Sequence, residues 1–358
     1  MKKLMIFVVS IAMLTSCFDE QLAPSDQSGL KTGAQAGTSD IIPVLTYKWN
    51  KLQVPPMANY PFNNPTGQNI ILPVNGDVYC LIGTQSEFAY KLNLSTKQWE
   101  YFDDPDAMFV PFRVGYKHLF SYQSKIYFGM MMYMGTETDV HTLDPSTGIQ
   151  SDVASFPGTP VLYPTCFSVG TKGYLMGGYH PSTNTVVNQF WEYDFLSDQW
   201  TNKGSLPGGA RAAASAFVVN NTVYFGLGFD YLTFNGIKIK RYKKDWYQMD
   251  PAASGGFALI KTDFPLTRAH AKGFVINNKI YLGWGTNGTL QNDFWEYNPS
   301  TNTWVQKTGC AATNSSVGYS RANIGIFSIG TVGYLVKGDL GEFWRYGLSA
   351  FIPVPTNQ

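Results

Sequence analysis

The sequence predicts an all-β fold built from six copies of a four-stranded unit. Three observations support this prediction: the composition, short strand-like runs of apolar residues, and an internal repeat. Aromatic residues make up 15% of the chain and charged residues only 14%, alongside 35 Gly and 20 Pro. Strands favour aromatic and β-branched side chains, and the turns between them favour Gly, Pro, Asn and Asp. The clearest unit, residues 268–304, contains four such strand patterns separated by turn patterns.

The N-terminal segment is typical of a targeting signal. Lys2 and Lys3 precede an apolar run from Leu4 to Leu14 that is too short to span a bilayer. The run ends in Leu-Thr-Ser-Cys17, which resembles the lipobox of bacterial lipoproteins, where the cysteine is acylated. An ordinary signal peptide with a chance cysteine is the alternative. We therefore expect a lipoprotein signal peptide over residues 1–17, with a lipid attached at Cys17.

The segment after Cys17 is expected to be a flexible tether. Residues 18–43 are rich in polar residues and hold too few apolar ones to bury a core. No Asp directly follows Cys17, which by resemblance to known lipoproteins favours the outer membrane over the inner one. The sequence thus predicts an outer-membrane lipoprotein, periplasmic or surface-exposed, that contacts the membrane through its lipid anchor only. Residues 44–358 form the remaining domain.

A tyrosine in the second strand of each unit reveals the repeat. It is followed by apolar residues and usually by Gly, and it is preceded by a short turn rich in Asn or Gly, as hairpins require. The six equivalent residues are Tyr79, Tyr127, Tyr174, Tyr224, Tyr281 and Tyr334. Successive members lie 47 to 57 residues apart. A period in this range is typical of one four-stranded propeller blade per repeat.

The third and fourth strands add a second pattern. Residues 294–297 read Phe-Trp-Glu-Tyr, the turn Asn-Pro-Ser-Thr follows, and Trp304 lies in the fourth strand; residues 190–193 and Trp200 repeat this pattern. These motifs, with the pair Gly177-Gly178, resemble the kelch-repeat β-propeller family over nearly all of residues 44–350. Only one blade keeps the double glycine. The resemblance implies a six-bladed kelch-type propeller.

The two ends of the repeat predict how the ring closes. The last unit ends near Trp344-Arg345-Tyr346 without a clear fourth strand, whereas an isolated strand pattern over residues 46–52 precedes the first unit. The simplest interpretation is that this N-terminal strand completes the C-terminal blade. Such closure pairs strands that would otherwise be exposed edges.

Propeller geometry predicts where a ligand binds. The start of strand one and the loop between strands two and three open on the same face, around the central channel. Four of the strand-one starts carry an arginine: Arg113, Arg211, Arg268 and Arg321. A guanidinium group suits carboxylates, so this ring predicts a site for an anionic or polyhydroxylated ligand. Kelch repeats commonly carry Arg here, and the alternative is that it ties blades together through backbone carbonyls.

The loops between strands two and three add further candidates to the same face. We expect Tyr179 and His180 from blade three, and Lys240 and Arg241 from the long insertion of blade four, to contribute to ligand binding. A basic loop that is merely solvated is the alternative interpretation of Lys240 and Arg241. Tyrosines near the strand-one starts, Tyr163 among them, could stack on sugar rings or pack between blades.

Several functional classes are not supported by the sequence. A net charge of +1 argues against nucleic-acid binding. Cys80 and Cys166 lie in strand patterns and are expected to be small buried apolar residues; the cysteines and histidines lack metal-ligand spacing, so we expect no metal and no cofactor. Catalytic motifs of serine hydrolases and phosphate-binding loops are absent, as is the ligand set of the distantly similar galactose-oxidase propellers.

Three functional hypotheses follow. The favoured one is a non-catalytic binding module of the cell envelope that takes a glycan or a protein partner on this face. The alternative is an enzyme, because six-bladed kelch propellers include the N-acetylneuraminate epimerase (mutarotase) family, whose resemblance implies an anionic sugar near the channel and a positioned acid or base. The third is a structural subunit of a surface assembly. Whether the protein is an enzyme stays open, with the binding module preferred.

Overall fold

The structure is a computed structural model that describes most of the repeat region. The described residues are 44–53, 69–74, 76–82, 88–96, 98–102, 117–129, 138–206, 208–252, 258–310, 324–337 and 342–351. Within these ranges the regular secondary structure is entirely β-strand. No helix long and apolar enough to cross a membrane occurs among them. The signal peptide, the tether, Cys17, Arg113 and Arg321 lie outside the described residues.

The strands follow one another in short steps. The first ten are β1 (Val44–Leu52), β2 (Asn69–Val74), β3 (Asp77–Ile82), β4 (Phe88–Asn93), β5 (Gln98–Phe102), β6 (Lys117–Tyr122), β7 (Lys125–Gly129), β8 (Val140–Leu143), β9 (Gln150–Val153) and β10 (Thr165–Val169). The next nine are β11 (Lys172–Met176), β12 (Tyr179–His180), β13 (Thr185–Val186), β14 (Phe190–Asp194), β15 (Gln199–Gly204), β16 (Ser215–Val219), β17 (Thr222–Gly226), β18 (Phe229–Phe234) and β19 (Ile237–Tyr242). The last nine are β20 (Trp246–Met249), β21 (Ala258–Ile260), β22 (Lys272–Ile276), β23 (Lys279–Gly283), β24 (Phe294–Asn298), β25 (Thr303–Lys307), β26 (Ile324–Ile329), β27 (Val332–Lys337) and β28 (Glu342–Phe351).

These strands form six four-stranded antiparallel sheets, which are the blades of a propeller. Blades one to five are β2-β3-β4-β5, β6-β7-β8-β9, β10-β11-β14-β15, β16-β17-β20-β21 and β22-β23-β24-β25. Blade six is β26-β27-β28-β1. Blades three and four each carry an additional two-stranded hairpin, β12-β13 and β18-β19, between their second and third strands. The predicted all-β propeller of six blades is confirmed.

The N-terminal strand closes the ring, as predicted. β1 pairs antiparallel with β28 from Val44 opposite Phe351 to Leu52 opposite Phe343. Trp49 extends this closure to the neighbouring blade, because its ring lies 5.3 Å from Phe294 and 5.1 Å from Tyr346. An edge-to-face or tilted arrangement at these distances is favourable for aromatic pairs. The first and last parts of the chain are therefore held in one sheet.

Aromatic side chains fill the spaces between blades. In blade five, the Tyr297 hydroxyl donates to Asn302 at 2.8 Å and the Trp304 indole donates to the Thr262 carbonyl at 3.1 Å. Blade three repeats both contacts, with Tyr193 donating to Asp198 and Trp200 donating to the Ala154 carbonyl. The repeated Tyr and Trp thus have a structural role: one fixes the turn between strands three and four, and the other links its blade to the segment before it.

Removing residues 44–53 should abolish cooperative folding of the propeller, because it leaves β28 with an unpaired edge and withdraws Trp49 from its aromatic neighbours. Thermal unfolding followed by circular dichroism measures the effect. A chain that lacks only residues 1–43 and keeps β1 is the matched control, and it should unfold at the wild-type temperature. A cooperative transition at an unchanged temperature after removal of residues 44–53 would show that the ring closes without β1.

Candidate functional site

One end of the channel is built by residues in left-handed backbone conformation. Tyr163, Ala213 and His270 occupy equivalent places just before the first strands of blades three, four and five, with φ of 55°, 53° and 58°. The Ala213 amide donates to the Tyr163 carbonyl at 2.9 Å, and the His270 amide donates to the Ala213 carbonyl at 2.9 Å. Non-glycine residues seldom adopt this conformation, and where they do so they often mark a functional site. These hydrogen bonds connect three successive blades at the channel mouth.

Ala213 lies between two residues with larger side chains, Tyr163 and His270. The Tyr163 and His270 rings meet edge to face, 4.8 Å apart at 85°. The His270 ring also lies 6.3 Å from Phe229, which is buried beneath the mouth. Both Tyr163 and His270 are half-buried, so each presents one side to water.

The two additional hairpins extend this aromatic surface away from the channel. Tyr179 at the start of β12 lies 6.3 Å from Phe229 and 6.1 Å from Tyr231. Tyr242, opposite Phe229 in the β18-β19 hairpin, packs against the same group. We call these six residues the mouth cluster: Tyr163, Tyr179, Phe229, Tyr231, Tyr242 and His270.

The hairpins hold each other in place through polar contacts. The Lys238 ammonium donates to the Asn184 carbonyl at 2.6 Å, which links β19 to the turn after β12. The Tyr179 hydroxyl donates to the Asn184 side chain at 3.0 Å. The Lys240 ammonium lies 4.2 Å from the centre of the Phe229 ring, within cation–π distance. Blades three and four therefore form one continuous wall of the mouth.

The two described arginines of the predicted ring lie beneath this surface. Arg211 is 1% exposed and forms two hydrogen bonds with Asp245, at 3.1 Å and 2.7 Å. Arg268 is fully buried and binds Asp293 in the same two-pronged manner, at 2.7 Å and 2.9 Å. Each also donates to a carbonyl of its own blade, Leu227 or Trp284. The terminal nitrogens of both guanidinium groups are thus paired, whereas the buried Nε of Arg268 has no hydrogen-bond partner among the described residues.

These contacts give Arg211 and Arg268 a structural role within their own blades, and their ligand-binding role stays a prediction. A ligand could reach them only by displacing a paired carboxylate from a buried site, which is unfavourable. The carbonyls of the two arginines accept bonds from Gly178 and Gly228 of the preceding blades, at 2.9 Å and 2.7 Å. For Arg113 and Arg321, which lie outside the described residues, ligand binding stays a prediction.

The remaining predicted residues lie on the two hairpins. Tyr179 belongs to the mouth cluster, and His180 beside it accepts a hydrogen bond from the Thr183 amide at 3.3 Å. Lys240 is exposed on the side of its hairpin that carries Tyr231. Arg241 lies on the other side and binds Asp230 at 2.9 Å and 2.7 Å. Burial raises the pKa of Asp230, but hydrogen bonds from Arg241 and Lys243 outweigh it and lower the pKa overall.

Sequence reasoning missed Tyr231, Tyr242 and His270 as site residues. The signal for the two tyrosines was available: Asn235-Gly236 is a two-residue hairpin turn, and counting back from it places Tyr231 and Tyr242 on the same side. Nothing in the sequence indicates that the His270 ring meets Tyr163, because these residues belong to blades two positions apart. Only the curvature of the ring brings them together.

Ionisable groups also occur at the inner strands. Lys272 begins β22 and is only partly exposed; the surrounding protein lowers its pKa to about 8 by withdrawing it from water. His118 in β6 is exposed, and its Nε2 lies 2.9 Å from the Ser121 hydroxyl. Burial raises the pKa of the Cys80 thiol to about 12, as expected for a cysteine that packs as an apolar residue. The described residues contain no cluster suited to a metal ion.

Comparison with known proteins supports the propeller fold and finds one curated relative that matches part of the chain. No protein-family model matches the chain. The solved structure of YjhT superimposes with a TM-score of 0.53 over 67% of this chain and 84% of that one, at 15% sequence identity. The chain is a six-bladed β-propeller. A curated relative, the N-acetylneuraminate epimerase of Pasteurella multocida (strain Pm70), is 31% identical over 147 residues. That match spans 39% of this chain and about a third, 34%, of the relative.

Replacing Arg268 with Ala should destabilise the propeller by about 3–5 kcal/mol, because it removes the donor to the Trp284 carbonyl and leaves the largely buried Asp293 carboxylate without its cation, with the Trp295 indole still donating to it. Chemical unfolding measures the change. Arg241→Ala removes an equally close pair whose arginine is exposed and whose aspartate keeps Lys243, so it should cost much less stability than Arg268→Ala. Equal stability of Arg268→Ala and wild type would argue for a role of Arg268 outside the fold.

Replacing Lys272 with Met should raise the unfolding temperature at pH 7, and the gain should shrink as the pH rises. The folded state holds the pKa of Lys272 at about 8, below its usual value, so protonation favours the unfolded chain. This penalty is complete below pH 8 and disappears as the pH approaches the unfolded pKa of ~10.4. Thermal scans between pH 7 and pH 10 measure it, and a gain independent of pH would contradict the assignment.

Proposed function

We propose that this propeller is a carbohydrate-binding module of the cell envelope and that its ligand rests on the mouth cluster. The observation that carries the proposal is the meeting of half-buried aromatic rings from three blades at one end of the channel. Tyr163 and His270 form the inner part of this surface, and Tyr179, Tyr231 and Tyr242 form the part on the hairpins.

Such a surface suits a sugar ring. One face of a pyranose presents C–H groups that pack on an aromatic plane, while its hydroxyls need hydrogen-bond partners at the edges. Hydrogen-bond donors and acceptors lie nearby: Thr183 and Asn184 on blade three, and Thr286 and Asn287 in the loop of blade five. An apolar floor with a polar rim favours a carbohydrate over a purely apolar ligand.

The charge of the hairpin favours an acidic sugar. Residues 229–244 contain five cationic side chains and one carboxylate, a local net charge of +4 in a chain whose total is +1. Lys240 lies on the side of the hairpin that carries Tyr231, directly beside the aromatic surface. Because the Lys240 ammonium lies 4.2 Å from the Phe229 ring of the mouth cluster, we assign it to the carboxylate of a ligand.

A second candidate is an epimerase or mutarotase that acts on an anionic sugar. The partial match to an N-acetylneuraminate epimerase favours this candidate. His270 and Lys272 are the described groups that suit the acid–base step: His270 belongs to the mouth cluster, and burial brings the pKa of Lys272 to about 8, near the operating pH of a general base. The candidate also needs a cation for the carboxylate, and Arg113 and Arg321 are the sequence-predicted residues for that role.

We further propose that the kelch-like propeller is carried at the outer membrane as a lipoprotein. The lipobox-like segment ending at Cys17 and the polar tether over residues 18–43 support this location. A tethered module that holds glycans near the envelope is consistent with the sequence and with the open aromatic mouth.

Binding to an array of neutral and acidic glycans tests the proposal. Tyr163→Ala and Tyr231→Ala should each weaken binding roughly tenfold or more, because each removes an aromatic surface at the centre of the site. Tyr122→Ala is the matched control, since it removes a half-buried tyrosine at the end of β6, on the opposite face, and should bind normally. Loss of binding in Tyr122→Ala alone, or no glycan binding by the wild type, would contradict the proposal.

The same proteins separate the enzyme from the binding module. Proton NMR follows the exchange between the two anomers of N-acetylneuraminic acid. For a binding module, the wild type should leave the exchange rate unchanged even where it binds the sugar. Acceleration that disappears in Lys272→Met, with binding retained, would establish the epimerase candidate instead.

A further inference from the structure

The β18-β19 hairpin has two chemically different faces. Residues directly opposite each other in the pairing share a face, and successive pairs alternate. One face carries Phe229, Tyr231, Lys240 and Tyr242 and packs toward the channel mouth. The other face points away from the channel mouth. Neither the fold nor the proposed function explains the residues on this outer face.

The outer face is apolar at the tip of the hairpin. Two cross-strand pairs form it: Leu232 opposite Ile239, and Phe234 opposite Ile237. These side chains are 45%, 48%, 62% and 66% exposed, respectively. Single exposed apolar residues are common on soluble proteins, but four that adjoin on one projecting element form a patch that usually marks an interaction site.

We infer that this outer face docks on an anionic lipid surface. The apolar tip matches the boundary between headgroups and acyl chains, and the net charge of +4 in residues 229–244 matches anionic headgroups. Lys238 and Lys240 lie on the inner face beside the tip, opposite Thr233 and Tyr231, so their charges surround the tip, while the charged residues of the outer face are the paired Asp230 and Arg241. The sequence predicts membrane contact only through the lipid anchor, and the hairpin adds a second contact.

The size and charge of the patch disfavour two other occupants. Four apolar side chains at a hairpin tip provide only a few hundred Å², whereas a stable protein interface needs about 800 Å² on each partner. A second copy of the chain would bring two segments of net charge +4 together, which is repulsive. A lipid surface requires neither a complementary shape nor an opposing cluster of carboxylates on a folded partner.

The predicted anchor is compatible with this docking. β1 begins at Val44 on the face opposite the mouth, since the antiparallel strands of a blade alternate in direction. A tether over residues 18–43 would span up to roughly 90 Å when extended, several times the ~20 Å length of a blade strand. Either face of the propeller could therefore reach the bilayer that holds the anchor.

Hydrogen exchange of the full chain tests the inference. The chain is mixed with vesicles of phosphatidylcholine alone or of equimolar phosphatidylcholine and phosphatidylglycerol, and exchange is followed by mass spectrometry. Amides of residues 232–239 should exchange about fivefold more slowly on the anionic vesicles, and high salt should remove the difference. The double variant Phe234→Ser with Ile237→Ser should lose this protection.

A control variant and a second test variant accompany this experiment. Leu196→Ser changes an apolar side chain that is 72% exposed on the opposite face, and it should retain the protection. Leu232→Gln with Ile239→Gln should lose it while leaving the turn residues intact, and exchange in β23 reports whether each variant is folded.

Identical exchange of the wild type on both vesicle types would overturn the inference. So would protection that depends on protein concentration without vesicles, which indicates a second copy, or protection that requires a purified protein partner.

Discussion

The pairing of β1 with β28 is the constraint on which the rest of the structure depends. A propeller places its first and last blades side by side, and each blade buries its aromatic side chains only against its neighbours. The nine-residue ladder from Val44 to Leu52 joins the two ends of the chain within one sheet. Trp49 then connects this sheet to blade five through Phe294. Without that closure the inner strands would not be held around a common channel, and the channel mouth would not form.

The buried ion pairs show how the mouth is kept in shape. Arg211 and Arg268 each hold an aspartate from the start of the third strand and a carbonyl from the end of the second. They therefore fix the point where each additional loop leaves its blade. The loops above these points carry the residues that face solvent. Arg211 and Arg268 thus support the aromatic surface from beneath, because desolvated arginines need their carboxylates.

The two faces of the β18-β19 hairpin have different roles. The inner face of β18-β19 carries Tyr231 and Lys240 beside the mouth, and its outer face carries exposed aliphatic residues and Phe234. Period-two alternation makes this separation possible in a single hairpin. A ligand at the mouth and a lipid surface at the tip would thus be contacted by one rigid unit, which is linked to blade three through Lys238.

The sequence by itself determined the local and periodic features of this protein. Spacing of Tyr281 and its equivalents gave six blades, Asn235-Gly236 specified a hairpin turn, and the isolated strand near Trp49 indicated the closure, because each depends on neighbouring residues or on repetition. Only the tertiary structure decided which side chains are available. Whether Arg268 meets a ligand or Asp293, and whether His270 meets Tyr163, depends on contacts across blades and on burial. Such contacts join residues distant in sequence, and a single sequence does not encode their distances in any local pattern.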